Sequence, residues 1–203
     1  YDNGTVWSGP RYSLIMPIAI NGSGTITGVS VGGLPDGIVD TDMIAAGAVT
    51  AAKRGAGAIL QVKQTVKTDI FSTTSNGFND VTGLTVTITP TSSSSKILAM
   101  CYVNYGTASD DIRIAARIVR EESGSDTIIS QGDADGNRVR AMWIGRHANL
   151  TGAQEHVNIQ ILDSPSSTNA LTYKFQTGRI DSGTLVVNDG RSDDNLSTHA
   201  RPI

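Results

Sequence analysis

The fold class is decided by the stretch Leu84-Thr-Val-Thr-Ile-Thr89, in which apolar and hydroxyl-bearing residues alternate without interruption. Successive side chains of a β-strand point to opposite faces of the sheet, so this pattern predicts a strand with one buried face and one solvated face. The same alternation recurs in residues 156–163 and 170–177. These three segments are expected to pack toward one core.

Working outward from them, we predict eight strands and a weaker ninth. Of the 19 acidic residues 16 are Asp, which favours turns, and short strands between such turns are typical of a β-sandwich. The expected fold is therefore all-β, with a jelly-roll-like antiparallel sandwich. The predicted strands span residues 58–67, 84–89, 96–104, 112–120, 126–130, 139–146, 156–163 and 170–177, and the ninth spans 183–188.

Two of these segments depart from simple alternation. Residues 97–103 are apolar throughout, which predicts a strand covered on both faces, either central in its sheet or against another subunit. Cys101, within it, is the single cysteine and is predicted to be a core residue rather than a nucleophile. Residues 110–122 could begin a helix at Asp110 or Asp111, but their alternating apolar residues favour a strand.

A change of composition near residue 57 predicts three regions. Residues 21–57 contain nine glycines and no aromatic residue, so they bury little apolar surface unless identical chains associate. Gly37 and Gly47 begin two imperfect ten-residue repeats, although a short helix ending at Gly47 is an alternative. We predict an attachment segment at 1–20, a glycine-rich extended shaft at 21–57, and a sandwich head at 58–203.

Several low-complexity runs carry a resemblance to a known family. They are the run from Met16 to Gly37, Gly57-Ala-Ile-Leu-Gln-Val-Lys-Gln64, Gly83-Leu-Thr-Val-Thr-Ile-Thr-Pro90, Ser93-Ser-Ser-Lys-Ile-Leu98 and Gly132-Asp-Ala-Asp-Gly-Asn-Arg138. Over about residues 16–195 the chain resembles tail-fibre and related virion proteins of marine tailed bacteriophages, including those of cyanophage type. Chains of that family commonly continue beyond the equivalent of Ile203, so the end of this sequence is expected to be clipped.

The resemblance implies a structural protein of the virion, on the tail or the capsid surface. With the predicted shaft it indicates a homotrimeric fibre that attaches to another virion protein through its N-terminus. The head would then bind a glycan or protein on the host cell surface. A capsid decoration or head-fibre protein without a receptor role is the alternative, followed by an enzyme that depolymerises envelope polysaccharide.

Charge and hydropathy point away from two other classes of partner. The formal net charge of −3 supplies no electrostatic attraction to nucleic acid or to an anionic membrane surface, so neither is an expected partner. The most apolar stretch, residues 12–20, is too short to span a bilayer, and no export signal is visible.

No catalytic constellation is evident in the sequence, and we predict that the protein is not an enzyme. The three histidines, His147, His156 and His199, lack a spacing that would fix a metal, and no serine lies in a nucleophile-elbow pattern. Carboxylate pairs for glycoside cleavage stay open, because residues of distant strands can meet in space.

One weak metal motif is present. Asp133, Asp135 and Asn137 place oxygen-bearing side chains at alternate positions, as calcium prefers. The twelfth position of the motif is Ile144 rather than an acid, so a helical calcium loop is excluded, and an ordinary Asp/Gly turn is the alternative. No other cofactor is expected.

Charged loops and one cationic segment make up the predicted receptor-binding surface. An alternating strand would place the three arginines of residues 138–146 on one face and Trp143 on the other, where it could simply belong to the core. Arginine pairs with anionic oxygens, as recognition of an envelope anion requires. Adhesion is expected in loops 106–111, 131–138 and 164–169. The candidate residues are Asp110, Asp133, Asp135, Asn137, Arg138, Arg140 and Arg146.

Overall fold

The computed structural model of the chain describes residues 19–20, 26–27, 44–50, 53–55, 57–107, 112–147 and 154–189. The chain divides into two compact units, Tyr1–Ala58 and Ile59–Ile203. In the first unit, β1 (Ala19–Ile20) pairs antiparallel with β2 (Ile26–Thr27). Most of the predicted shaft and its ten-residue repeats lie outside the described residues.

The described residues of the second unit, which we call the sandwich unit, form strands and connecting loops. The strands are β3 (Phe71–Thr73), β4 (Gly77–Ile88), β5 (Ile97–Thr107), β6 (Ile112–Glu122), β7 (Ser125–Ile128), β8 (Trp143–His147), β9 (Gln154–Asp163), β10 (Leu171–Arg179) and β11 (Leu185–Val187). Within the described part of the chain, no helix has the length and hydrophobicity needed to cross a membrane.

The strands form two antiparallel sheets, which confirms the all-β prediction. In the β6 sheet, β6 pairs with β10 and with β7 and β8. Strand β4 runs beside β10, where the Thr87 and Thr172 hydroxyls are 2.9 Å apart and Gln176 Nε2 donates to Asp80 Oδ1 at 2.7 Å. In the β5 sheet the order is β3-β11-β5-β9.

The core lies between the two sheets, as in a β-sandwich. Alternate residues of each strand point inward, so both sheets contribute to a single cluster. The buried members are Val81, Val103, Tyr105, Ile112, Ile114, Ala116, Ile118, Val157, Ile159, Leu171, Tyr173, Phe175, Leu185 and Val187. Residues 112–122 therefore form a strand, as the alternation of their apolar residues predicts, and the helical alternative is wrong.

A buried tyrosine donates a hydrogen bond to a carboxylate at each end of this core. At one end, Arg120 Nη1 contacts the Asp163 carboxylate at 2.7 and 2.8 Å, and the Tyr173 hydroxyl donates to the same carboxylate at 2.7 Å. At the other end, the Tyr105 hydroxyl donates to Glu155 at 2.5 Å. The Asp163 contacts link the two sheets, and the Tyr105 contact links the neighbouring strands β5 and β9.

The predicted strand at 58–67 is wrong. These residues form no strand, although they run along β4, where Gln61 Nε2 donates to the carbonyl of Thr89 at 2.7 Å. Ile59 and Val62 are each 80% exposed, so the apolar residues that suggested a strand have no partner strand among the described residues. The first half of β4 and the short β3 are strands that the sequence did not predict, and β8 begins four residues later than predicted.

Strand β5 agrees with the prediction in its position but not in its burial. It lies between β11 and β9, so the expected central place in the sheet is confirmed. Residues 103–107 are buried, but Leu98, Met100 and Tyr102 are 58%, 65% and 58% exposed. Within one chain the first half of the strand is therefore covered on one face only, and the alternative that another subunit covers the second face stays a prediction.

Candidate interaction surfaces

Five of the seven predicted receptor-binding residues lie in one exposed loop, residues 129–142, between β7 and β8. A tight turn forms at its tip, where the backbone N–H of Arg138 donates to the carbonyl of Asp135 at 3.2 Å and Gly136 has a φ of +55°. Arg138 Nη1 also lies 3.0 Å from Asp135 Oδ2, and both side chains are exposed. The turn thus presents one positive and one negative charge side by side to solvent.

The base of this loop is fixed by a second contact. Arg140 Nε donates to the carbonyl of Gly132 at 2.8 Å, which joins the two arms of the loop. These contacts lie within the loop and involve no strand of the core. Substitution of the charged residues is therefore expected to leave the strands undisturbed.

The calcium site at Asp133, Asp135 and Asn137 stays a prediction. The ion pair between Asp135 and Arg138 competes with any cation for the Asp135 carboxylate. Among the described residues, no group of three or more His, Cys, Asp or Glu side chains is placed to hold a metal ion.

Arg146 lies apart from the loop, on β8, so the predicted arginine face of a single strand is wrong. Its cross-strand neighbour Arg113 makes two contacts of 2.7 Å with the Asp181 carboxylate. The hydrogen bonds from Arg113, with a smaller contribution from the charge of Arg146, lower the pKa of Asp181. Asp110 lies outside the described residues.

Trp143 packs inward, as one of the two interpretations of this segment predicted. Its ring meets the Tyr105 ring edge to face, with centroids 4.8 Å apart, and so joins β8 of one sheet to β5 of the other. Trp143 is therefore part of the core and is not available for stacking on a sugar.

The outer face of the β6 sheet is charged, and its charges pair with each other. Lys174 Nζ lies 2.9 Å from Glu121 and 2.9 Å from Asp126, and these hydrogen bonds raise the pKa of the lysine. Arg117 lies over the Phe78 ring at 3.9 Å. The charged side chains named on this face thus have their partners within the chain.

The outer face of the β5 sheet differs in kind. On β5 and β9 most side chains opposite the core are apolar or amide-bearing, and the exposed His156 lies among them. We call six of these residues the β5–β9 face: Leu98, Met100, Tyr102, Asn158, Gln160 and Leu162. Leu98 pairs across the strands with Leu162, which is 62% exposed. None of the six residues carries a formal charge. The sequence offered a signal for this surface, because Leu162 breaks the alternation of its strand.

A groove borders the β5–β9 face. It has a volume of about 380 Å³ and lies between residues 64–67 and β5, with Val66, Met100 and Tyr102 in its lining. Asn188 Nδ2 donates to the carbonyl of Lys67 at 2.8 Å and so fixes the bordering segment. The Tyr102 ring stacks on the His156 ring, with centroids 5.2 Å apart, which holds the exposed tyrosine in one orientation.

Comparisons with protein-family models, with curated proteins and with solved structures found no match to this chain.

Proposed function

We propose that the chain is a structural protein of a phage virion, a homotrimeric tail fibre or spike that acts by binding the host cell surface. In this proposal the N-terminal region attaches to another virion protein, the glycine-rich residues form a shaft, and the jelly-roll-like sandwich unit binds a glycan or protein of the host. The protein catalyses no bond cleavage.

The observation that carries the proposal is the exposed charged loop between β7 and β8. Asp135 and Arg138 are 71% and 82% exposed at a turn whose geometry is set by hydrogen bonds inside the loop. The base of the loop, at Ile129 and Ser130, contacts the sandwich, and the charged tip residues are not members of the core. Variable charged loops on a rigid β scaffold are typical of binding proteins.

The apparent affinity of such a surface for the host depends on the number of copies in the assembly. A loop of this size buries little area, so each single contact is expected to be weak. Three copies on one axis would raise the apparent affinity through effective concentration by about a hundredfold or more. Adhesion is therefore expected to depend on the assembled protein.

A loop variant tests the proposal. Replacing Asp133, Asp135 and Arg138 together with Ser removes two acids and one base from the loop. We expect binding to host cells to fall at least about tenfold, while the free energy of unfolding changes by no more than about 1 kcal/mol, as is usual for exposed loops. Binding would be measured with labelled protein on a panel of marine cyanobacteria.

The matched control removes the same charges elsewhere. Replacing Glu121, Asp126 and Lys174 with Ser also removes two acids and one base, from the outer face of the β6 sheet. Binding should be unchanged in this control. Equal binding by the loop variant and the wild type would remove the loop from the site.

Two further measurements separate the alternatives. Antibody against the purified protein should label the tails of intact particles in electron micrographs, and labelling confined to the capsid would favour a decoration protein. Release of reducing sugars from host envelope by the protein would instead identify a depolymerase.

A further inference from the structure

We infer that the β5–β9 face is the surface through which identical copies of this chain pack against each other. This inference rests on the proposed function, because it locates the contact that a trimeric fibre requires. It commits to one occupant, a second copy of the chain.

The first argument is the exposure of apolar side chains on a face that the described residues leave uncovered. Leu98, Met100, Tyr102 and Leu162 are between 58% and 65% exposed, and Val66 at the edge of the groove is 62% exposed. Together they expose roughly 600 Å², at the upper limit of the largest apolar patch on a typical monomer. Such a surface is expected to be covered in the working state of the protein.

The second argument is the area available. Ile59 and Val62, in the extended segment that runs along β4, are each 80% exposed. They precede the groove-lining residues 64–67, so exposed apolar surface continues beyond the β5–β9 face. A stable interface takes about 800 Å² from each partner, and the β5–β9 face together with Val66 supplies most of that area.

The third argument identifies the partner as the same chain. Three copies around one axis turn the same face toward that axis, where like charges would approach each other, so such a face has to be uncharged or internally paired. The β5–β9 face has no formal charge, in contrast to the ion-paired outer face of the β6 sheet. Its polar members, Asn158 and Gln160, each carry both a donor and an acceptor, so amides of two copies can satisfy each other.

The unpaired segment at 59–66 fits the same interpretation. Its sequence predicts a strand, yet within one chain it pairs with none of the described strands. A neighbouring copy could provide the apolar partner that this segment lacks. In this interpretation residues 59–66 lack a partner strand only in the isolated chain, and they would gain one when copies associate.

The experiment is light scattering of the full chain and of three lysine variants at micromolar concentration. Met100→Lys and Leu162→Lys place a charge on neighbouring strands of the β5–β9 face. Ile144→Lys is the matched control, because Ile144 is 50% exposed on the β6 sheet. Far-ultraviolet circular dichroism of each variant confirms that the sandwich is folded.

We expect the wild type and Ile144→Lys to be trimers, and the two variants on the β5–β9 face to dissociate at least about tenfold more readily. Trimers in all three variants would overturn the inference while leaving the proposed assembly intact. A lower melting temperature in Met100→Lys with unchanged assembly would also overturn it, since the face would then be covered within one chain. A monomeric wild type would instead refute the trimeric fibre itself.

Discussion

Asp163 accepts hydrogen bonds from two buried side chains, so its charge is expected to matter far more than that of a surface acid. Asp163→Asn keeps the size of the side chain but removes the carboxylate that the Arg120 guanidinium, 14% exposed, directly contacts. Breaking a buried ion pair by removing one partner costs about 3–5 kcal/mol. We expect a loss of that size in the free energy of unfolding, measured by urea denaturation.

The control is the exposed ion pair of Arg113 and Asp181, whose side chains are 51% and 30% exposed. Asp181→Asn should change the free energy of unfolding far less than Asp163→Asn, because water screens exposed charges. Equal losses in the two variants would show that burial does not set the strength of the Asp163 contacts.

Two buried tyrosines predict how stability depends on alkaline pH. Burial, reinforced by hydrogen bonds to Glu155 and Asp163, raises the pKa of Tyr105 and of Tyr173 above the usual value of 10. A raised pKa in the folded state favours the protonated form, so this stability is fully present below pH 10 and is lost as the pH rises through the higher folded values. The melting temperature of the wild type should therefore fall steeply above pH 10.

The double variant Tyr105→Phe, Tyr173→Phe tests this origin. It lacks both phenol groups, so its melting temperature should change less between pH 9 and 12, measured by circular dichroism, even if it is lower throughout. A decline as steep as that of the wild type would assign the alkaline loss to other groups.

At the scale of elements, the close approach of β10 to β4 depends on one glycine. A Cβ atom at Gly178 would overlap the carbonyl oxygen of Gly77, and backbone atoms cannot move aside as the end of a side chain can. Gly178→Ala should therefore destabilise the sandwich by about 1–3 kcal/mol, the range for overpacking a filled space. Gly132→Ala is the control, since a Cβ there meets nothing within 4 Å. Similar melting temperatures for the two variants would contradict the tight approach of these strands.

Most strands could be predicted because their alternation reflects a real division between core and solvent. Strand β9 and strand β10 show this directly, since their apolar residues Val157, Ile159, Leu171 and Phe175 are buried. Alternation cannot reveal whether a partner strand exists, and for this reason residues 58–67 were predicted as a strand that the structure lacks. A hydrophobic pattern describes the preference of a segment, whereas pairing depends on its neighbours.

The candidate surfaces could also be predicted only in part. The sequence located the charged residues of the β7–β8 loop, and their turn forms around Gly136, where Asp/Gly chemistry is readable locally. The grouping of Arg138 and Arg140 with Arg146 failed, because the strand begins only at Trp143. The β5–β9 face was not predicted as exposed, since the register that sets Leu98 opposite Leu162 is a long-range property.

For the whole molecule, the division between Ala58 and Ile59 makes a prediction about truncation. The sandwich core consists wholly of residues from the second unit, so a chain that begins at Ile59 should stay folded and rich in β-structure. Under the proposed trimeric assembly, the truncated chain should dissociate more readily, because it lacks the glycine-rich region proposed to hold the copies together. Circular dichroism and light scattering measure the two effects separately. Loss of the far-ultraviolet signal on truncation would show that the sandwich needs the first unit.

The single cysteine of the chain lies on β5, on the side opposite the β5–β9 face, and packs against the core. Burial raises the pKa of the Cys101 thiol to about 12, so at neutral pH it stays protonated and slow to react. The thiol is partly buried beside the groove, so a thiol reagent should modify it slowly in the folded chain and faster when this strand separates from its neighbours. The rate of Cys101 modification therefore reports how often the sandwich opens. It can be measured on unlabelled protein and, under the proposed function, on the intact particle.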